Sequence, residues 1–315
     1  MALKQYNIKL HNKERVFSTL SNFEEADVFE SKSKKWDRII LFIHGYPDLN
    51  TSFNGVWPYI EKAFPKALLL APLTRGYEES SQGPLDEYSL RDLAEDARAW
   101  IESINPSNSV PVHLVGHDWG ATIAYKLAGD HPELITSVAA LGIPYLRHIK
   151  LWELLWYAPL QWWLCFHFIV LQFPWWYVPR LTKKGTDNYI SQLWSFWSPN
   201  WKYSSESLET VIEQFQKPGV IAATAAYYQN AVNRSKGREG KWKVDFDKSP
   251  TLVLVGEADA AISPGILTLE DQRFKTIANG KFKTLPVVGH FLQHEDPEKV
   301  ATLIIEWFHL YSEKK

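Results

Sequence analysis

Gly116-His117-Asp118-Trp119-Gly120 places a carboxylate midway between two glycines, where an apolar run gives way to a helical pattern. Small residues two positions to either side of Asp118 permit a sharp strand-to-helix turn. Such a turn lifts the central side chain above a sheet edge, in the strained geometry of a nucleophile elbow. A helix N-cap aspartate with flanking glycines is the plainer reading of the same five residues. A serine in that place would form acyl enzymes, whereas a carboxylate displaces at an sp³ carbon and leaves an ester between chain and substrate. The substrate must then carry an activated alkyl carbon, such as an epoxide or a carbon–halogen bond. Other segments end apolar runs with residues fit for chemistry: His44-Gly45-Tyr46-Pro47, where a backbone N–H could face the elbow, Arg75-Gly76-Tyr77, Val255-Gly256-Glu257-Ala258-Asp259, and Val288-Gly289-His290-Phe291.

These segments matter only if a fold collects them, and the pattern between them is that of a largely parallel sheet covered by helices. Arg38–Ile43, Ala67–Ala71 and Val110–Val115 read as buried strands. Ser89–Ile104 reads as a surface helix with Leu90, Leu93, Ala97, Trp100, Ile101 and Ile104 on one face and Ser89 and Asp92 in capping-box positions. Thr122–Gly129 continues as a helix and Leu134–Leu141 as a strand. Alternation then stops, and resumes at Thr251–Val255, with a helical stretch to Ala278, an extended run Lys281–Val288 and a last helix Asp296–Tyr311. The expected organisation is a discontinuous α/β core, residues 1–144 and 241–315, with a helical, aromatic-rich cap at 145–240 that returns through the polar stretch NRSKGREGKWK.

The chain has 315 residues, 45% of them hydrophobic, enough for a sizeable core. Its 34 Lys plus Arg nearly balance 36 Asp plus Glu, which offers no drive toward nucleic acid. The single Cys165 excludes an internal disulfide, and no Cys/His cluster has zinc spacing, so neither metal nor cofactor is expected. Without a signal-peptide h-region in MALKQYNIKL, the expectation is a cytoplasmic protein with no secretion signal. Nine of the fifteen tryptophans lie between residues 145 and 203, and from Leu151 to Pro179 the only formal charge is Glu153. Pro159 and Pro174 argue against one straight spanning helix. A buried or interfacial cap is expected, and the flanking Arg147, Lys150, Arg180, Lys183 and Lys184 leave peripheral membrane contact open.

Taken together, HGYP, GHDWG and GHF resemble the epoxide hydrolase and haloalkane dehalogenase branch of the α/β-hydrolase superfamily. The resemblance implies the α/β-hydrolase fold, with Asp118 as nucleophile, His290 as base and Asp259 as its acid. Glu257 is the local competitor, and Asp245 and Asp247 lie farther off. Some relatives carry the acid after the strand near Leu141, where this chain has Gly142-Ile143-Pro144. Backbone N–H groups of Tyr46 and Trp119 fall at the family's oxyanion hole, while His44 and His117 occupy loop-organising motif positions. His44, Pro47, Trp119, Trp163, His167 and Tyr227 are expected around the substrate.

In epoxide hydrolases two cap tyrosines protonate the opening ring, and Tyr228 matches the second, with Tyr227 beside it. Counting back from Gln172-Phe173-Pro174 puts His167 where the first is expected. That leaves one tyrosine acid, makes His167 a donor, or means the chemistry has moved. A departing halide needs N–H donors instead: Trp119 supplies one indole, but Tyr46 stands where many dehalogenases have asparagine, with Trp162 or Trp163 as substitutes. Fluoroacetate-type enzymes carry arginines where this chain has Trp119 and Thr122. The expectation is an epoxide hydrolase that turns an apolar epoxide into a vicinal diol. The alternatives are a haloalkane dehalogenase with the same triad and a non-catalytic hydrolase-like binding protein. Substrate and water are the expected partners, with no nucleic acid.

Overall fold

The computed structural model describes residues 4–30, 35–232 and 242–312. Among them, eight strands form one sheet: β1 (Tyr6–Asn12), β2 (Arg15–Ser21), β3 (Arg38–Ile43), β4 (Ala67–Pro72), β5 (Val112–His117), β6 (Ser137–Leu141), β7 (Thr251–Gly256) and β8 (Gly280–Leu285). Their spatial order is β1-β2-β4-β3-β5-β6-β7-β8. β1 pairs antiparallel with β2, and β2 with β4; every other pairing is parallel. The hairpin β1–β2 extends the sheet beyond the expected strands. Its alternating pattern buries only Ile8 and Leu10 of β1, a weaker signal than the continuous apolar runs elsewhere.

Helices precede or follow the strands: α1 (Glu25–Phe29), α2 (Trp57–Ala63), α3 (Leu90–Ile104), α4 (Trp119–Asp130), then α5 (Leu151–Tyr157), α6 (Gln161–Leu164), α7 (Phe166–Val170), α8 (Pro174–Leu181), α9 (Tyr189–Trp197), α10 (Ser205–Phe215) and α11 (Val220–Val232). After β7 come α12 (Pro264–Phe274), α13 (Leu292–Glu295) and α14 (Pro297–Leu310). RIILFI is apolar throughout because β3 is covered on both faces. Ile39, Leu41 and Ile43 enter one hydrophobic cluster with α3 and α4, while Ile40 and Phe42 enter the other with α2 and α14. Ser89 caps α3 with the reciprocal Asp92 bond that its sequence suggests.

Between β6 and β7 the described residues form helices and loops only. The apolar run from Leu151 is cut into α5, α6, α7 and α8, and no helix among the described residues is long and apolar enough to cross a membrane. The return stretch NRSKGREGKWK lies mostly outside the described residues.

Parallel register aligns the strand ends that matter. Ile43 pairs with Gly116, His117 with Leu141, Leu141 with Leu254, and Gly256 with Leu285. The loops after β3, β5, β7 and β8 therefore leave the sheet along one edge, at the carboxyl ends of its strands, where open α/β sheets place their ligand crevices.

Candidate active site

Asp118 joins β5 to α4 with φ of 51° and ψ of −116°, a conformation that L side chains seldom adopt. The turn is fixed by close crossings: a Cβ on Gly120 would overlap the Ile43 carbonyl, and one on Gly45 would sit 2.5 Å from the Asp118 Cβ. These contacts explain the glycine spacing. They press the HGYP loop against the elbow, where the Tyr46 N–H donates to Asp118 Oδ1 at 2.8 Å. Trp119 begins α4, so its own N–H has no intrahelical acceptor. The second oxygen, Oδ2, lies 3.6 Å from His290 Nε2.

His290 follows β8, and its Nδ1 meets Asp259 Oδ2 at 2.8 Å. The other Asp259 oxygen accepts from the Ala261 N–H at 2.7 Å, which fixes the carboxylate plane. Glu257, the competitor, is exposed and accepts instead from the Thr284 hydroxyl at 2.8 Å. Asp245 and Asp247 sit outside this cluster, in the loop before β7. Burial opposes charge on His290, but the Asp259 charge, the nearby Asp118 carboxylate and the hydrogen bond to Asp259 outweigh it and raise its pKa to about 10. Burial likewise opposes charge on Asp118, yet the adjacent His290 and the Tyr46 N–H hold its carboxyl below the usual range.

The remaining loop residues orient these groups. His44 donates from Nδ1 to the Gly45 carbonyl and accepts the Thr74 N–H on Nε2, both at 3.0 Å, so it ties the HGYP loop to the end of β4. Burial lowers its pKa to about 4, which leaves it neutral. The Tyr77 hydroxyl reaches the Gly45 carbonyl at 3.2 Å, while Arg75 is held by Asp96 in a buried bidentate pair with both contacts at 2.6 Å. His117 Nε2 donates to the His290 carbonyl at 3.0 Å. The Pro47 carbonyl accepts the Trp194 indole N–H at 3.0 Å, which links this loop to α9.

Adjacent tyrosines on α11 serve different purposes. The Tyr227 hydroxyl donates to the Arg75 carbonyl at 2.5 Å and is thereby occupied, although its ring lines Trp119 at 5.4 Å. Tyr228 packs edge-on against Tyr46 and Trp119, each at 5.2 Å, and against His167 at 5.5 Å. Burial holds its hydroxyl well above the ordinary phenol range, Asp118 and Tyr46 add to that, and the Trp119 side chain opposes it. His167, on α7, faces the Leu164 carbonyl through Nδ1 at 3.2 Å. A carbonyl only accepts, so Nδ1 carries the proton. Burial lowers the ring pKa to about 4, leaving Nε2 as a bare acceptor with no partner among the described residues. Trp163, expected at the substrate, is 75% exposed and belongs to the outer surface: α6 turns that indole away from the sheet. Nothing is described of the Trp162 side chain.

Trp197 has no motif to announce it. Its carbonyl, at the end of α9, accepts the N–H groups of His290 at 3.2 Å and Ala260 at 3.3 Å, and its ring lies 5.1 Å from His290. One helix end thus holds the His290 loop and the Asp259 loop together. A backbone acceptor carries no side-chain signature, so only the fold reveals it. Among the described residues, no group of three or more His, Cys, Asp or Glu could hold a metal ion.

A family model described as the alpha/beta hydrolase fold matches residues 38–297. The AB hydrolase superfamily protein YfhM of Bacillus subtilis is 24% identical over 85% of this chain and 89% of its own length. Epoxide hydrolase 1 of Caenorhabditis elegans is 25% identical over 87% of this chain, which spans 65% of that relative. Among solved structures, a laboratory evolved variant of potato epoxide hydrolase superimposes with a TM-score of 0.72 at 18% identity, covering 98% of this chain and all of the other.

Proposed function

The chain belongs to the alpha/beta hydrolase fold family, and from that premise we propose that it is an epoxide hydrolase acting on apolar epoxides. The observation that carries this reading is the division of labour on one carboxylate: Oδ1 of Asp118 is taken by the Tyr46 N–H, and Oδ2 is left facing His290. Oδ2 attacks an epoxide carbon, the carbon–oxygen bond of the ring breaks, and the departing alkoxide takes the Tyr228 proton. Esterification removes the Asp118 charge, so His290 loses one of its two stabilising carboxylates and gives its proton back to the tyrosinate. Neutral His290, oriented by Asp259, then removes a proton from water, and the hydroxide adds to Cγ of Asp118. The oxyanion formed on Oδ1 meets the N–H groups of Tyr46 and Trp119; on collapse the Cγ–Oδ2 bond breaks, the departing oxygen takes the proton of the added hydroxyl, and the diol leaves Asp118 a carboxylate beside protonated His290.

This sequence needs only one acid for ring opening, in keeping with His167 Nε2 being an acceptor. The edge-on packing of Trp119, Tyr46 and Phe168 around Tyr228 gives the site aromatic surroundings, which favour an apolar substrate. The halide reading retains the Trp119 indole as one donor, but Tyr46 replaces asparagine and, among the described side chains, Trp163 faces outward. A single turnover in ¹⁸O-water tests the route. The label is expected in Asp118 and not in the first diol released; label in that diol means direct attack by water and overturns the covalent route. A matched panel of epoxides and haloalkanes separates the alternatives: halide release exceeding diol formation favours the dehalogenase. Absence of any adduct or product favours a binding protein.

A further inference from the structure

Thirteen of the twenty exposed large hydrophobic residues, counted among the described residues, fall between Leu146 and Val178. Leu151, Trp152, Leu155 and Trp156 share one face of α5, whose other side packs Leu154 and the following Ala158 against Ile262 and Ile266. Trp163 on α6 and Trp175 on α8, each 75% exposed, continue the outward apolar series. A soluble surface seldom leaves so much apolar area uncovered unless something binds there.

Charge identifies what would cover it. Residues 147–184 hold five basic side chains against one acidic, leaving 29 basic against 35 acidic in the rest of the chain. The one acid, Glu153, is held by Arg273 at 2.6 Å and by the Lys150 N–H at 2.8 Å. Lys150, Lys183 and Lys184 are exposed at the two ends of the apolar stretch. The Arg180 guanidinium lies 3.8 Å above the Trp176 ring, a basic head on an aromatic base. Tryptophan beside basic residues matches the headgroup zone of an anionic bilayer, where indoles sit between hydrocarbon and water and cations meet lipid phosphates and carboxylates. No described helix can span, so the contact is peripheral.

We propose that the outer face of α5 to α8 docks the protein on anionic membrane surfaces. α7 gives this placement a use: His167 and Phe168 contact Tyr228, while Phe166 and Ile169 of the same helix are exposed. The docking face and the wall of the proposed site are thus two sides of one turn of helix, so lipid-dissolved molecules gather beside the site. Docking itself does not depend on the reaction proposed above.

Flotation of the purified full chain with vesicles tests it. At low salt the protein is expected to float with phosphatidylcholine–phosphatidylserine vesicles and about tenfold less with phosphatidylcholine alone. Trp152→Ser, Trp156→Ser and Trp175→Ser combined should cut binding to the anionic vesicles about tenfold. Lys183→Gln with Lys184→Gln should weaken the preference for anionic lipid. These positions are exposed, so an unchanged thermal unfolding profile verifies that the variants fold. No flotation with anionic vesicles, or equal flotation of the tryptophan variant, overturns the proposal. So does self-association in sedimentation velocity that the tryptophan variant abolishes while vesicles bind neither protein, since a second copy then covers the face.

Discussion

Neutralising Asp118 should convert His290 from a resting cation into a base usable at neutral pH. At 3.6 Å, and with an effective dielectric of about 20, the Asp118 charge stabilises imidazolium by on the order of 4 kcal/mol, or roughly three pKa units. Asp118→Asn, which mimics the neutral ester, should therefore bring the His290 pKa from about 10 down to roughly 7. The assay is an NMR titration of ¹⁵N-histidine-labelled protein, with the His290 signals assigned by their loss in His290→Gln. Asp118→Ala guards against slow hydrolysis of the introduced amide. The same charge interaction has a stability readout. Because the folded pKa lies above the ordinary 6.5, the contribution is fully present below pH 6.5 and is lost as pH rises through about 10, at most about 5 kcal/mol. The alkaline fall in Tm should thus be shallower in Asp118→Asn than in the parent. An unchanged His290 titration in both Asp118 variants would refute the idea that ester formation switches the base on.

The remaining predictions concern single steps. His290→Gln should still alkylate but not hydrolyse, so intact-mass spectrometry after substrate addition should find the epoxide mass retained on the chain. Tyr228→Phe should slow alkylation by about 10²–10⁴ in stopped-flow measurements, the usual worth of a positioned acid. His167→Phe should cost much less, because Nε2 accepts and does not donate; equal losses would return His167 to the role of acid. Gly120→Ala drives a methyl into the Ile43 carbonyl and should destabilise the fold by about 3 kcal/mol in urea unfolding.

How much of this was legible in the sequence follows from the range of each interaction. Strands β3 and β4 are continuous apolar runs, and α3 has both helical spacing and a capping box, so each reveals itself within a few residues. The elbow is equally local: glycines two positions from Asp118 report a crossing that no Cβ could enter. The two antiparallel strands at the N-terminus escape because half of their side chains are only partly buried.

Tertiary packing decided the rest. Tyr227 and Tyr228 are neighbours of the same type, and only the docking of α11 gives one hydroxyl to the Arg75 carbonyl and turns the other ring toward Tyr46 and Trp119. The direction of Trp163, the bare nitrogen of His167 and the hold of the Trp197 carbonyl on two loops likewise depend on how helices far from β5 in sequence seat themselves. Residue type and short spacing are written along the chain. The raised pKa of His290 is not, because it arises from carboxylates 31 and 172 positions away that meet only when parallel register brings their loops to one edge.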